Sequence, residues 1–365
     1  MNKKIYKSIG MMSGTSLDGV DAALIETDGY DYARALGFVT LPYEEALRDK
    51  IRRCFGLRDA EGAPVKEAER QLTFAHLAAV RALLEKTGMA AKDVDLIGFH
   101  GQTITHDPAR KLTIQIGDGA LLAFESGIDT VADFRSADVA AGGQGAPFLP
   151  LYHRVLARAQ KLEQPVAILN LGGVGNVTCI GPGENDLIAF DTGPGVALMD
   201  DLVFARTGAA YDVGGTLARA GTFHKDIVKK WMAQPYFKRS LPKALDRNEW
   251  DVSALAGLSL EDALATLGSF TAYAVKEGEQ LLPVKPRQWL VTGGGRHNDY
   301  LMGRLAALLD APVGKVDDCG WSGDAMEAEG FGYLAVRSVL GEPLSFPLTT
   351  GVPEPISGGV VYKAG

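Results

Sequence analysis

The sequence predicts an α/β fold in which one supersecondary unit occurs twice. Three observations carry that expectation. A strand, a glycine turn and a second strand run from Ile9 to Asp21 and on through the apolar stretch Ala22 to Ile25. A similar series begins at Val166. Stretches of helical period lie between and after them, so strands and helices alternate along the chain.

The opening stretch, I-G-M-M-S-G-T-S-L-D-G-V-D, sets Gly14, Gly19, Thr15, Ser16, Asp18 and Asp21 between apolar flanks. Such a turn presents backbone N–H groups. Gly14 and Gly19 are expected to take backbone geometries closed to other residues, and Thr15 and Ser16 add hydroxyl donors, which suits a phosphate tail. Asp18 and Asp21 then face a cation, because a carboxylate beside bare phosphates repels them. An ordinary hairpin turn is the plain alternative.

Asp28-Gly29 signals a turn, and Ala35 to Leu41 reads as a third strand before Pro42. From Glu67 to Thr87, Leu72, Ala75, Ala79 and Leu83 share one helical face and Gly88 stands ready to end the helix. Asp95 to Phe99 is a short buried strand whose end meets His100-Gly101-Gln102-Thr103, polar residues suited to a ligand crevice. A strand-like run around Thr130 leads into the glycine-rich passage Ala132 to Pro147. That passage predicts a boundary, giving domains of 1–132, completed by 344–365, and 133–343.

The second series repeats the first: strand Val166 to Leu171, glycine turn Gly172 to Asn176, strand Val177 to Ile180, turn 181–183, strand Leu187 to Phe190. The repetition predicts a duplicated domain with two phosphate hairpins. Gln288 to Thr292 is a further strand, ending in Gly293-Gly294-Gly295. Ser259 with Asp262 opens a helix, Asn298 caps Tyr300 to Leu309, and Asp324 precedes a helix from Ala325 to Leu340.

The 365 residues suffice for two domains, and 46% hydrophobic against 22% charged residues is a globular balance. A net charge of -8 argues against a nucleic-acid surface. Cys54, Cys179 and Cys319 form no C-x-x-C pair, which fits a reducing compartment without structural zinc. Three lysines between Met1 and Ser8 precede no apolar signal core, and the run Val166 to Ile180 is too broken to span a bilayer, so a cytoplasmic location is expected. The chain carries no G-x-x-x-x-G-K-[ST], G-x-S-x-G, H-E-x-x-H or H-R-D signature.

Asp191, in F-D-T-G-P-G, follows an apolar strand and precedes a turn held by Gly193, Pro194 and Gly195. A carboxylate fixed at a strand end suits a general base, with capping of its own turn as the alternative. Read alone, Glu327 and Glu329 are solvated positions on a helix and Arg135 a surface ion-pair partner. His100, His106 and Asp107 match no zinc spacing, so a structural or substrate-facing role is expected. His76 reads as packing or surface.

Together these motifs resemble the anhydro-N-acetylmuramic acid kinases of the acetate and sugar kinase, heat-shock chaperone and actin superfamily. The match runs through G-M-M-S-G-T-S-L-D-G-V-D at Gly10, H-G-Q-T at His100, T-I-Q-I-G-D-G at Thr113, D-F-R at Asp133 and G-G-Q-G-A-P at Gly142. It continues through N-L-G-G-V-G-N-V-T at Asn170, F-D-T-G-P-G at Phe190, G-G-G-R-H-N at Gly293 and G-D-A-M-E-A at Gly323. The resemblance implies two ribonuclease-H-like domains with ATP in a cleft between them. It also implies hydrolytic opening of 1,6-anhydro-N-acetylmuramic acid with phosphorylation of O6, in cell-wall recycling.

By position, the resemblance gives Gly14, Thr15, Ser16, Leu17, Asp18, Gly19, Val20 and Asp21 to the phosphates, with magnesium at Asp18. Asn170, Gly172 and Gly173 face the nucleotide from the second domain, and Gly293, Gly294 and Gly295 border the adenosine. Asp191 is the implied base. Thr103, Arg135 and Glu327 are the implied sugar-holding positions. The family also suggests a homodimer. Val196 stands where the family pattern has Asn, Gly175 where it has Ala, and Gly330 and Gly332 where it favours Ala. A plain sugar or carboxylate kinase of the same fold, and a nucleotide-gated binding or filament protein, are the competing expectations.

Overall fold

The computed structural model describes residues 3–183, 186–245 and 250–365, so the first two residues of the lysine-rich start lie outside the described residues. Two compact units divide the chain, Met1–Lys161 with Ala325–Gly365, and Leu162–Asp324.

The first unit is built on β1 (Tyr6–Ser13), β2 (Gly19–Thr27) and β3 (Ala33–Pro42), an antiparallel meander. β4 (Leu96–Asp107) adds parallel to β1, β5 (Leu112–Ile116) pairs with β4, and β6 (Thr130–Ala132) continues the parallel side. The helix Ala63–Thr87 starts four residues before its predicted start and ends as expected, with Gly88 left-handed at φ 63°. It buries Leu72, Val80 and Leu83 under β2 and β3. Burying a side chain of that size contributes roughly 1.5–3 kcal/mol each.

The second unit repeats the plan. β7 (Val166–Leu171), β8 (Val174–Ile180) and β9 (Leu187–Pro194) form the meander, and β10 (Gln288–Thr292) and β11 (Val313–Lys315) add parallel on the β7 side. The strand order β11-β10-β7-β8-β9 thus matches β6-β4-β1-β2-β3 of the first unit. A three-stranded meander extended by parallel strands from its first member is the ribonuclease-H-like arrangement, present here twice. β12 (Val360–Tyr362) closes the first sheet against β6.

The compact first unit runs past the predicted break at 132/133 and regains the chain at Ala325 rather than at 344. Two contacts explain this. Arg135 and His106 tie the glycine-rich passage back to β4 through the carbonyls of Gly145 and Gln144. The helix Met326–Val339 lies directly on β1 and β4, where a Cβ at Gly10 would stand 1.8 Å from the Ala328 carbonyl and one at Gly98 2.1 Å from that of Phe331. Gly332 belongs to the same packing, its added Cβ 3.0 Å from the Gly10 nitrogen. Ser259 and Asn298 cap the helices Leu260–Glu279 and Asp299–Leu308 through their side chains, as read from the sequence. Asp324 does not cap the helix that follows it. Its carboxylate accepts from Arg296 instead.

Candidate active site

The turn between β1 and β2 is tight, with the Leu17 N–H donating to the Gly14 carbonyl over 3.1 Å. The left-handed residue is Leu17, at φ 60°, and neither Gly14 nor Gly19 has positive φ. This corrects the expectation for the two glycines. Gly19 is required by crowding, since a Cβ there would stand 2.2 Å from the Leu41 carbonyl of β3. Leu17 drops its side chain into the core while Thr15, Ser16 and Asp18 remain exposed. Among the described residues nothing accepts the N–H of Thr15 or Ser16, so both are available to an anion. Ser13 anchors the turn by donating to Gln102 over 2.6 Å, with its hydroxyl also 2.6 Å from that of Tyr43. Val20 points into the core, and Asp21 accepts from Thr40 across β3 at 2.6 Å.

In the second unit the two predicted glycine turns form one cluster. Thr292 of β10 pairs with Asn170 of β7, which brings Gly293 onto the β7–β8 turn. Gly293 has φ 75° and ψ 174°, a region essentially reserved for glycine. Arg296, buried, donates to the Gly293 carbonyl over 3.0 Å and is itself braced by Asp317 and Asp324. The carbonyls of Gly172 and Gly173 accept from Val196 and Gly195, while their own N–H groups have no acceptor among the described residues. Gly294 has open space where a side chain would stand, and Gly295 is packed on Leu171. Val196, at the head of the helix Ala197–Thr207, fills the space beside Gly295.

Asp191 lies inside β9 rather than at its end. A bulge between Gly175 and Asn176 lets the pairing continue to Pro194, with Asp191 opposite Asn176. The residue is held from three sides. Its N–H donates to the Lys243 carbonyl over 3.0 Å, its carbonyl accepts from the Tyr236 hydroxyl over 2.5 Å, and its Oδ2 accepts from the Leu245 N–H over 2.8 Å. Oδ1 has no hydrogen-bond partner among the described residues. Burial raises the carboxyl to about 7, against the lowering effect of the Leu245 N–H and the Lys243 charge. A carboxyl poised near neutrality with one open oxygen is equipped to take a proton.

Arg135 and Glu327 come together in the first unit. Arg135 donates from Nε to His100 Nε2 over 2.9 Å and from Nη1 to the Gly145 carbonyl, with Phe148 and Phe331 against the guanidinium. Because His100 Nε2 accepts, its proton is on Nδ1, facing the Gly101 carbonyl at 2.8 Å. Burial lowers Arg135 to about 10, and the nearby Glu327 opposes that shift. Arg135 is therefore no surface ion-pair partner, and Glu329 is no solvated position. Glu329 is buried and accepts from the Tyr152 hydroxyl over 2.8 Å. Glu327, half-buried, stands in the first turn of its helix.

The H-G-Q-T stretch lies within β4, which runs on to Asp107, and not at its end. Gly101, at φ 70°, and register shifts bend the strand there without ending it. Thr103 faces β5, accepting from the Gln115 amide over 3.2 Å. A cavity of 260 Å3 beside these strands is lined by His100, Thr113, Gln115, Asp133 and Ser136, and not by Thr103, Arg135 or Glu327. His76 is buried packing, its ring 4.8 Å from Phe99.

Sequence reasoning missed Tyr236, Lys243 and Leu245, which hold Asp191. No motif surrounds them, and the signal available was only an aromatic-rich stretch ending in a lysine.

Residues 6–364 match the family described as anhydro-N-acetylmuramic acid kinase. An anhydro-N-acetylmuramic acid kinase of Rhizorhabdus wittichii is 49% identical over 98% of each chain. One of Paramagnetospirillum magneticum is 51% identical over 96% of this chain and 98% of the other. Among solved structures, a xylulose kinase from Lactobacillus acidophilus is 10% identical with a TM-score of 0.46, covering 99% of this chain and 94% of that one. No described helix is long and apolar enough to cross a membrane.

Proposed function

The chain belongs to the anhydro-N-acetylmuramic acid kinase family, and we propose that it opens the 1,6-anhydro bridge of N-acetylmuramic acid with water while phosphorylating O6 from ATP. The products are N-acetylmuramic acid 6-phosphate and ADP, as peptidoglycan recycling in the cytoplasm requires. The observation that carries this reading is the clamped carboxyl of Asp191 with its open Oδ1.

An inverting glycosidase uses two carboxyl groups, a base for water and an acid for the leaving oxygen. This reaction needs only the base. Asp191 takes a proton from water, the water oxygen bonds to C1, and the C1–O6 pair moves onto O6. O6 then bonds to the γ-phosphorus as the bond to the β-phosphate oxygen breaks. The proton on Asp191 passes to solvent.

The free N–H groups at Thr15 and Ser16, and those of Gly172 and Gly173, support two contact sets for the phosphates. The cluster of Gly293, Gly294 and Gly295 supports a flat approach of the adenosine. Asp18, exposed beside the first turn, would hold magnesium, which when bound neutralises phosphate charge during transfer. Arg135, fixed by His100 and facing Glu327, supports a sugar-holding pair, with Thr103 on the same strand as His100.

Reaction in oxygen-18 water tests the reading. Heavy oxygen at C1 of the phosphorylated product is expected. A product carrying none would remove the ring-opening step and leave a plain sugar kinase.

A further inference from the structure

We propose that Lys243 is a positioning residue for this reaction: its buried ammonium, surrounded by aromatic rings beside Asp191, keeps the Asp191 carboxylate ionised and ready to accept a proton. The inference rests on Asp191 being the base. Lys243 is 5% exposed, and its Nζ is buried without a hydrogen-bond partner among the described residues. Instead it stands 4.5 Å from the ring centre of Tyr236, 5.8 Å from Phe190 and 5.9 Å from Phe237.

A buried ammonium without an acceptor is costly, and a chain that needed only packing here would be served by an apolar side chain. Its backbone is locked to the residue it serves, because the Lys243 carbonyl accepts the Asp191 N–H. Phe190, the neighbour of Asp191 on β9, supplies one ring, and Tyr236, which donates to the Asp191 carbonyl, supplies another.

Among the described residues, the charged groups facing Lys243 are Asp191 on β9, Glu277 on the helix Leu260–Glu279 and Arg239 after Phe237. Burial is the largest influence and lowers the ammonium, Glu277 and Asp191 raise it, Arg239 lowers it, and it falls to about 8. Asp191 is at about 7. The ammonium is therefore still charged over the range in which Asp191 gives up its proton, and its charge favours that loss.

The test is kcat/KM for the anhydro sugar at saturating ATP, from pH 5.5 to 10, for the full chain and its Lys243→Met, Lys243→Arg and Asp191→Asn variants. The wild-type profile is expected to rise through an acid limb near pH 7 to a plateau. In Lys243→Met the acid limb moves up by about one pH unit, so that a loss of about fivefold at pH 7 is recovered by pH 9. Lys243→Arg, which keeps the charge, retains the acid limb. The ionisation of ATP is common to all the profiles.

An acid limb unmoved in Lys243→Met, with activity lowered equally at every pH, overturns the proposal. If Lys243→Met does not fold, Lys243→Gln is measured in its place, and an acid limb unmoved there overturns it. An Asp191→Asn variant as active as wild type overturns the base assignment itself, whereas an inactive one with an unmoved acid limb in the uncharged variant at position 243 overturns only the role of the lysine.

Discussion

Gly293 lies so close on Asn170 that a methyl on its Cα would stand 2.3 Å from the Asn170 amide oxygen and 2.8 Å from the Leu171 carbonyl. One step along the chain, Gly294 faces open space. Gly293→Ala is expected to destabilise the protein by about 2–4 kcal/mol, through both the forced backbone geometry and the clash. Gly294→Ala is expected to leave stability within about 1 kcal/mol and, on the proposed reading that the adenosine lies over this turn, to weaken ATP binding. Denaturant unfolding and ATP titration separate the two. Equal ATP affinity in Gly294→Ala and wild type would remove that turn from the nucleotide site.

Asp191→Asn keeps the shape of the side chain, and its amide oxygen still accepts the Leu245 N–H. It cannot accept a proton. Turnover is expected to fall by about 10²–10⁴, with ATP affinity changed less than about threefold. Single-turnover kinetics beside nucleotide titration is the measurement, and near-normal turnover would refute the assignment.

The same carboxyl links activity to stability with opposite signs. Its folded value, raised to about 7, lies above the unfolded value near 4. The native state therefore holds a proton that the unfolded chain has released between those values. The stability this proton contributes is complete below about pH 4 and is lost as pH rises through about 7. With Asp191 as the proposed base, activity is expected to rise over the upper part of that window. Asp191→Asn, which has no such proton to lose, should exceed wild-type stability at pH 8 by about 1–3 kcal/mol. Paired denaturation curves at pH 5 and pH 8 check this, and a difference that does not grow with pH would contradict it.

Arg135 is fixed by a neutral His100, whose buried ring is held well below its usual range, first by burial and then by the Arg135 charge. Arg135→Lys replaces a planar fork anchored at two points with a point charge. It is expected to raise KM for the sugar about 10–100-fold with a smaller effect on KM for ATP. His100→Ala should follow it in direction, since it frees Nε of the arginine. Equal changes in both KM values would point to general disruption.

The repeated strand and glycine-turn series was legible because turns announce themselves in composition, and both meanders lie where Ile9 to Leu41 and Val166 to Phe190 predicted them. Interruptions inside strands were not legible. Gly101 and the bulge opposite Asp191 read as strand ends, although the pairing continues past both. The left-handed position in the first turn fell to Leu17 because the core takes its side chain there, a tertiary effect that no local pattern carries. The setting of Asp191 was hidden for a related reason. Tyr236, Lys243 and Leu245 reach it from about 50 residues away in sequence, and two of the three contacts are made by backbone carbonyl or N–H groups, which leave no trace in side-chain identity.

Glycines give a last prediction, in which two alanine substitutions have opposite signs. Gly10 lies under the helix Met326–Val339, where an added Cβ would stand 1.8 Å from the Ala328 carbonyl and 2.2 Å from the Gly332 nitrogen. Both are backbone atoms of a packed helix, so neither yields as a flexible side chain would. Gly10→Ala must push the helix off β1 and is expected to cost about 3–5 kcal/mol. Gly303 sits inside the helix Asp299–Leu308 with nothing within 4 Å of its added Cβ. There an alanine restricts the unfolded chain and favours the helix, so Gly303→Ala is expected to stabilise by about 0.5–1 kcal/mol. Thermal melts of the two variants beside wild type decide the matter, and a Gly10→Ala protein that melts with wild type would mean that the helix does not rest on β1 as described.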